Sequence, residues 1–112
     1  MKKLKSTDQN LRRLIAMLKK QKQAVLKRTA LELSRPKRNR REVNLLKINK
    51  FTKAGDQVII PGKVLSIGKL DHKITIYALS YSDATIKKIK ETGALALPLE
   101  EAVGKKGLKL IG

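Results

Sequence analysis

Three sets of residues in this 112-residue chain have types and spacing that could do chemistry. The first is acid–base: His72 lies between Asp71 and Lys73, with Asp56 and Asp83 as further carboxylates. The second is a glycine-bounded stretch, Gly62-Lys63-Val64-Leu65-Ser66-Ile67-Gly68-Lys69-Leu70, of the kind that cradles phosphates. The third is Arg35-Pro36-Lys37-Arg38-Asn39-Arg40-Arg41-Glu42, whose guanidinium groups grip phosphate oxygens in pairs. Only the third survives inspection. His72 is the sole histidine and there is no cysteine, which excludes multi-histidine and cysteine–zinc centres, thiolate catalysis and disulfides. A lone histidine in this setting reads as a turn residue, and Asp56, Asp71 and Asp83 stand at turns or helix starts, where carboxylates act as caps. The glycine stretch has one residue too many between Gly62 and Gly68 for a nucleotide-binding loop, and Leu70 stands where that loop needs a magnesium-binding hydroxyl. No enzymatic activity, cofactor, metal or small-molecule substrate is expected.

The basic stretch belongs to a wider asymmetry. The formal net charge is +18; residues 1–54 hold 18 Lys or Arg against three acids, and residues 55–112 hold 9 Lys against six. All seven arginines lie in the first half. Charge of this density resists compaction unless a polyanion relieves it, and the fitting polyanion is a nucleic-acid phosphate backbone. A solvated charge run or a localisation signal has a similar composition. This run, however, is rich in arginine, continues a cationic helix and lies between two apolar segments, so that tethering at both ends lowers the entropy cost of ordering it on a partner. Composition leaves RNA and DNA open, because neither a major-groove module nor the aromatic signature of a sheet-type RNA binder is present. A DNA-compacting, chromatin-type protein is the alternative. The basic opening Met1-Lys2-Lys3-Leu4-Lys5 is followed by no apolar segment longer than the five residues Leu14 to Leu18. That is too short for export or for spanning a bilayer, so a soluble intracellular protein with no membrane partner is expected.

The elements that must position these residues follow from periodicity. Leu11, Leu14, Ile15, Leu18, Val25 and Thr29 recur at helical intervals after candidate caps at Ser6 to Gln9, with Lys22 breaking the stripe. The pattern predicts one helix over residues 8–33, stopped before Pro36. Residues 35–42 read as an extended loop and Val43 to Ile48 as a short apolar anchor. With little apolar surface to offset ordering, residues 35–50 are expected to be mobile in the free protein. Beyond Thr52 the texture changes: a strand at Val58 to Ile60, a turn at Pro61-Gly62, a second strand at Val64 to Ile67 and a third at Lys73 to Leu79. Ser82 caps a helix that runs to Thr92 and stops at Gly93, followed by strand Ala94 to Leu97, a short helix opened by Pro98, and a closing strand Leu108 to Ile111. The fold class is α+β: a small domain of short strands and two short helices over 52–112, preceded over 1–51 by a long basic helix and an Arg-rich linker.

Four stretches go further. Leu33-Ser34-Arg35-Pro36-Lys37-Arg38-Asn39-Arg40-Arg41-Glu42-Val43-Asn44-Leu45 resembles the signature of the large-ribosomal-subunit protein eighteen-e family of archaea and eukaryotes. So do Gly55 to Leu65, Leu70 to Ile76 and Gly107 to Gly112. The resemblance covers residues 8–112; the short length looks archaeal, and the globular part is related to bacterial large-subunit protein fifteen. Ser66 and Ala94 depart from it, each standing where the family has glycine. It implies a structural protein of the cytoplasmic ribosome that binds large-subunit ribosomal RNA beside neighbouring ribosomal proteins. Arg35, Lys37, Arg38, Arg40 and Arg41 become RNA contacts. Asn39, Asn44, Lys47, Lys50 and the helix residues Arg12 and Arg13 join them as candidates. Lys63 and Lys69 do so through the Gly62-Lys63 and Gly68-Lys69 turns, where glycine lets backbone approach RNA or simply serves a hairpin.

Overall fold

The computed structural model describes residues 12–21, 23–34, 41–105 and 107–111. Its architecture follows from the run around Val58-Ile59-Ile60, which is apolar on both faces. Such a strand needs cover on both sides, and a parallel sheet with helices above and below supplies it. β2 (Gln57–Leu65) is the axis. β3 (Thr75–Tyr81) lies along one edge of β2, with β4 (Leu95–Pro98) beyond it. The other edge of β2 is shared. β5 (Leu108–Leu110) pairs with residues 57–59, and β1 (Arg41–Asn44) pairs with residues 62–65. Every pairing is parallel.

Two helical layers bury the two faces. On one, α3 (Leu45–Phe51) and α4 (Asp83–Thr92) set Leu45, Ile48 and Ile89 against Val58, Ile60 and Ile76. On the other, α1 (residues 12–19) and α2 (Ala24–Leu33) set Leu14, Leu18, Leu26 and Leu33 against Ile59 and Tyr77, with Leu99 and Ala102 of a short 3₁₀ turn. Full burial of one such side chain is worth about 1.5–3 kcal/mol, so each layer is anchored by packing and not by its helices' intrinsic propensity.

The α+β class and most elements beyond Thr52 agree with the sequence reading. Ser82 accepts a hydrogen bond from the Thr85 amide at 3.3 Å, and Gly93 ends α4 in the left-handed region at φ +85°. Four details differ. Pro61-Gly62 is no turn: β2 runs through it with a bulge, advancing from Ile60 to Lys63 while β3 advances from Ala78 to Ser80. Because all partners are parallel, neither Gly62-Lys63 nor Gly68-Lys69 belongs to a hairpin. The single helix over 8–33 is broken, since Gln23 is extended at ψ 132° and the Gln21 amide bonds back to Leu18 at 3.1 Å. A continuous helix would have put Lys22 on the buried stripe. The Gln23 side-chain amide instead donates to the Lys105 carbonyl at 2.5 Å, tying the break to the chain before β5. Finally, Arg41 and Glu42 begin a strand, which corrects the expected loop at those two residues, and Val43, Leu45 and Ile48 are buried, as the expected apolar anchor requires. Residues 35–40 lie outside the described residues.

The β2–β3 connection, residues 66–74, carries no helix and is held by its neighbours. The Leu46 amide donates to the Ile67 carbonyl at 3.0 Å, and Lys88 Nζ on α4 donates to the carbonyls of Ser66 and Gly68 at 2.7 and 3.0 Å. Gly68 has φ +98°, and a Cβ there would sit 2.5–2.6 Å from Leu46 backbone atoms. The Gly68→Ala substitution is expected to cost about 2–5 kcal/mol, from left-handed strain plus overpacking. Gly55→Ala, at φ +89° with nothing within 4 Å, should cost only the strain, about 1–2 kcal/mol. Urea unfolding of the two variants checks the difference.

Candidate nucleic-acid interface

The Arg-rich stretch is built from its anchors inward. Its amino-terminal side leaves α2 at Leu33, and its carboxy-terminal side enters β1 at Val43; both side chains are buried, at 1 % and 2 % exposure. Arg35, Lys37, Arg38, Asn39 and Arg40 lie outside the described residues, and Arg41 is described by its backbone, opposite Gly62. The other candidates separate by layer. Arg12 and Arg13 are exposed on α1, on one side of the sheet. Lys47 and Lys50 are exposed on α3, on the opposite side, at the three-residue spacing that puts side chains on one helix face. Asn44 ends β1 and is half-buried; its side chain makes no capping bond to α3. Lys63 is exposed between Glu42 of β1 and Ser80 of β3. Lys69 is exposed beside a groove lined by Leu46, Gly68 and Lys88. The close backbone approach that Gly68 permits is to α3.

Three residues that the sequence reading did not place at the site matter here. Lys88 is no plain helix-end charge, because both its contacts are backbone carbonyls of the β2–β3 connection. Phe51 is 52 % exposed, with Lys50 Nζ 5.9 Å from its ring centroid. Lys109 donates to the Phe51 carbonyl at 3.1 Å and lies 3.5 Å from the Asp56 carboxylate. Lys47, Lys50, Phe51 and Lys53 were visible as an aromatic interleaved with lysines; Lys109 arrives from the far end of the chain and was not.

One arrangement has the outline of a catalytic relay. His72 Nδ1 is 2.7 Å from Asp71 Oδ1, and its Nε2 is 2.6 Å from Thr52 Oγ1. Thr52, however, donates its proton to the Ile48 carbonyl at 2.7 Å and is 8 % exposed, so no attacking group is offered. The set is a fastener between the end of α3 and the chain before β3, reinforced by Asn49 Oδ1 accepting from the Asp71 amide at 3.0 Å. Among the described residues no cluster of His, Cys, Asp or Glu has metal-site geometry, and no helix is long and apolar enough to cross a membrane.

The fastener sets a pH dependence. The hydrogen bond with His72 holds the Asp71 carboxyl below the usual carboxylate range, with Asn49 adding to it. The backbone bond from Lys53 does the same for Asp56. A carboxylate depressed in the folded state contributes stability above its unfolded pKa of about 3.9, and that contribution is lost as pH falls through the lower folded value. Urea midpoints measured from about pH 7 down to about pH 2.5 should therefore drop below about pH 4. Asp71→Asn should lower the neutral midpoint and flatten that acid limb.

No family model matches the chain. It is 47 % identical over 98 residues to large ribosomal subunit protein eL18 of Sulfurisphaera tokodaii, covering 88 % of this chain and 83 % of the relative. Against the protein of the same name from Methanothermobacter thermautotrophicus it is 39 % identical over 117 aligned positions, 97 % of each chain. Against that of Nanoarchaeum equitans it is 44 % identical over 87, covering 76 % of this chain and 74 % of the relative.

Proposed function

The chain belongs to the large ribosomal subunit protein eL18 family, and from that premise we propose that it binds large-subunit ribosomal RNA through its basic stretch and the cations around it. The family is one of structural constituents of the ribosome, not of enzymes, and its place is the cytoplasmic large subunit. The observation that carries the finer reading is the double anchoring: a segment rich in arginine runs between two buried side chains, Leu33 and Val43, one in a helical layer and one in the sheet. A strap held at both ends loses less entropy on a partner than a free tail does. Its guanidinium groups suit paired phosphate oxygens. Arg35, Lys37, Arg38, Arg40 and Arg41 are the phosphate contacts, with Asn39 and Asn44 as amide partners. Lys47, Lys50, Lys63 and Lys69, and Arg12 and Arg13 on the other layer, extend the contact surface. Neighbouring ribosomal proteins take up the faces that RNA leaves.

The test separates a strap from diffuse attraction. Changing Arg35, Lys37, Arg38, Arg40 and Arg41 to Gln removes five cations; changing Lys73, Lys87, Lys90, Lys105 and Lys106 removes the same number elsewhere. Lys88 is left in place because it clamps the β2–β3 connection. Log affinity for protein-free large-subunit RNA falls with log salt by about 0.7–0.9 per neutralised phosphate, so the strap variant should lose about 3.5–4.5 units of slope. The control should lose much less. Equal losses would show that the stretch is no strap.

A further inference from the structure

We propose that Phe51 is a stacking platform for an unpaired RNA base, within a hollow whose rim supplies the cations for the adjoining phosphates. Phe51 is the chain's only phenylalanine and ends α3 with 52 % of its surface in solvent. The helix does not need it for packing, because Leu45 and Ile48 already supply the buried face. Leu31, Leu46, Ile67 and Leu95 are exposed as well; what sets Phe51 apart is a planar ring with lysines around it. The hollow of about 370 Å³ is lined by Lys47, Phe51, Lys109, Leu110 and Ile111, a size within the range of small-molecule sites. Lys50 Nζ stands 5.9 Å from the ring centroid, where it is drawn to the aromatic face.

Protein-binding surfaces are depleted in lysine, especially towards their centres. Here lysines come from two elements: Lys47 and Lys50 from α3, and Lys109 from β5. A planar ring within a cationic rim fits single-stranded nucleic acid, whose bases stack on aromatics without regard to sequence while lysines follow the backbone. The backbone that carries the ring is also held in place. Lys109 donates to the Phe51 carbonyl at 3.1 Å and is braced at 3.5 Å by Asp56, which offsets part of its charge. Lys50 is then the principal phosphate partner and Lys109 the brace, with Lys47 on the rim of the hollow. The inference rests on the RNA-binding reading above but adds a stacked base, where that reading has phosphate contacts and side-chain amides.

The full chain and protein-free large-subunit ribosomal RNA provide the test. Phe51→Leu keeps apolar bulk and removes the π face. It should weaken binding about 5- to 150-fold, the equivalent of one base stack, with the salt slope unchanged because no charge is lost. Phe51→Trp should bind as the unsubstituted chain does. As the sequence has no other tryptophan, its emission reports on position 51 alone and should be quenched as RNA saturates the protein. Melting curves show whether Phe51→Leu is folded; if it is not, the quenching decides. Phe51→Leu binding within about twofold of the unsubstituted chain, or tryptophan emission unmoved by bound RNA, overturns the stacking site and leaves the strap standing. Failure of the unsubstituted chain to bind the RNA overturns both.

Discussion

The backbone N–H and C=O groups of β2 from Val58 to Gly62 have to find partners inside the protein, because helical layers cover both faces there and water cannot substitute. β2 meets that demand with three neighbours. β3 takes one edge along most of its length, and β5 and β1 divide the other end to end. The changeover falls where Pro61, which has no N–H to place, introduces the bulge. The rest of the layout follows. β1 brings α3 and the far end of the Arg-rich stretch to one end of β2, and β5 brings Lys109 to the other. The side chains alternating along β2 divide the interior into a core around Ile60 and a core around Ile59.

This arrangement decides which parts of the molecule were legible from sequence. α4 was read nearly to the residue because its signals are local: a serine that caps, a glycine that leaves the right-handed region, and a periodic face between them. Pro61-Gly62 was misread because a proline–glycine pair marks a turn and a bulge equally well; only the straight, parallel pairing of Val64 with Val43 and Tyr81 distinguishes them. The helix break at residues 20–23 was written as Lys22 interrupting the stripe, yet what the chain does there depends on Lys105, far along the sequence. For the interface, the arginines spoke through composition. Lys88 and Lys109 did not, because the carbonyls they hold lie 22 and 58 residues away along the chain.

The cations consequently do different work. Some fasten the protein to itself: Lys88 secures the connection after β2, and Lys109 secures the end of α3. Others, Lys63 and Lys69 among them, are exposed at the surface. Lys88 and Lys109 are thus structural, and net charge alone overstates the surface available to a polyanion. The polar set of Asp71, His72 and Thr52 belongs to the same class of internal fastening, with three titratable or hydroxyl groups used to fix a loop.

The division of one β2 edge between β1 and β5 bears on the order in which the chain can fold during its own synthesis. Pairing from β1 through β4 joins segments close in sequence, whereas Gln57 must await Leu108. Until that late strand emerges, Leu108 and Leu110 are missing from the core beneath α1 and α2, and the first helices made have an incomplete seat. Long-range parallel closure of this kind is slow and leaves apolar surface open in the interval. The layer of α1 and α2, dense in lysine and arginine, is therefore made early and completed late. Its charge repels other nascent copies and protects the open core from aggregation while the carboxy-terminal strand is still being made.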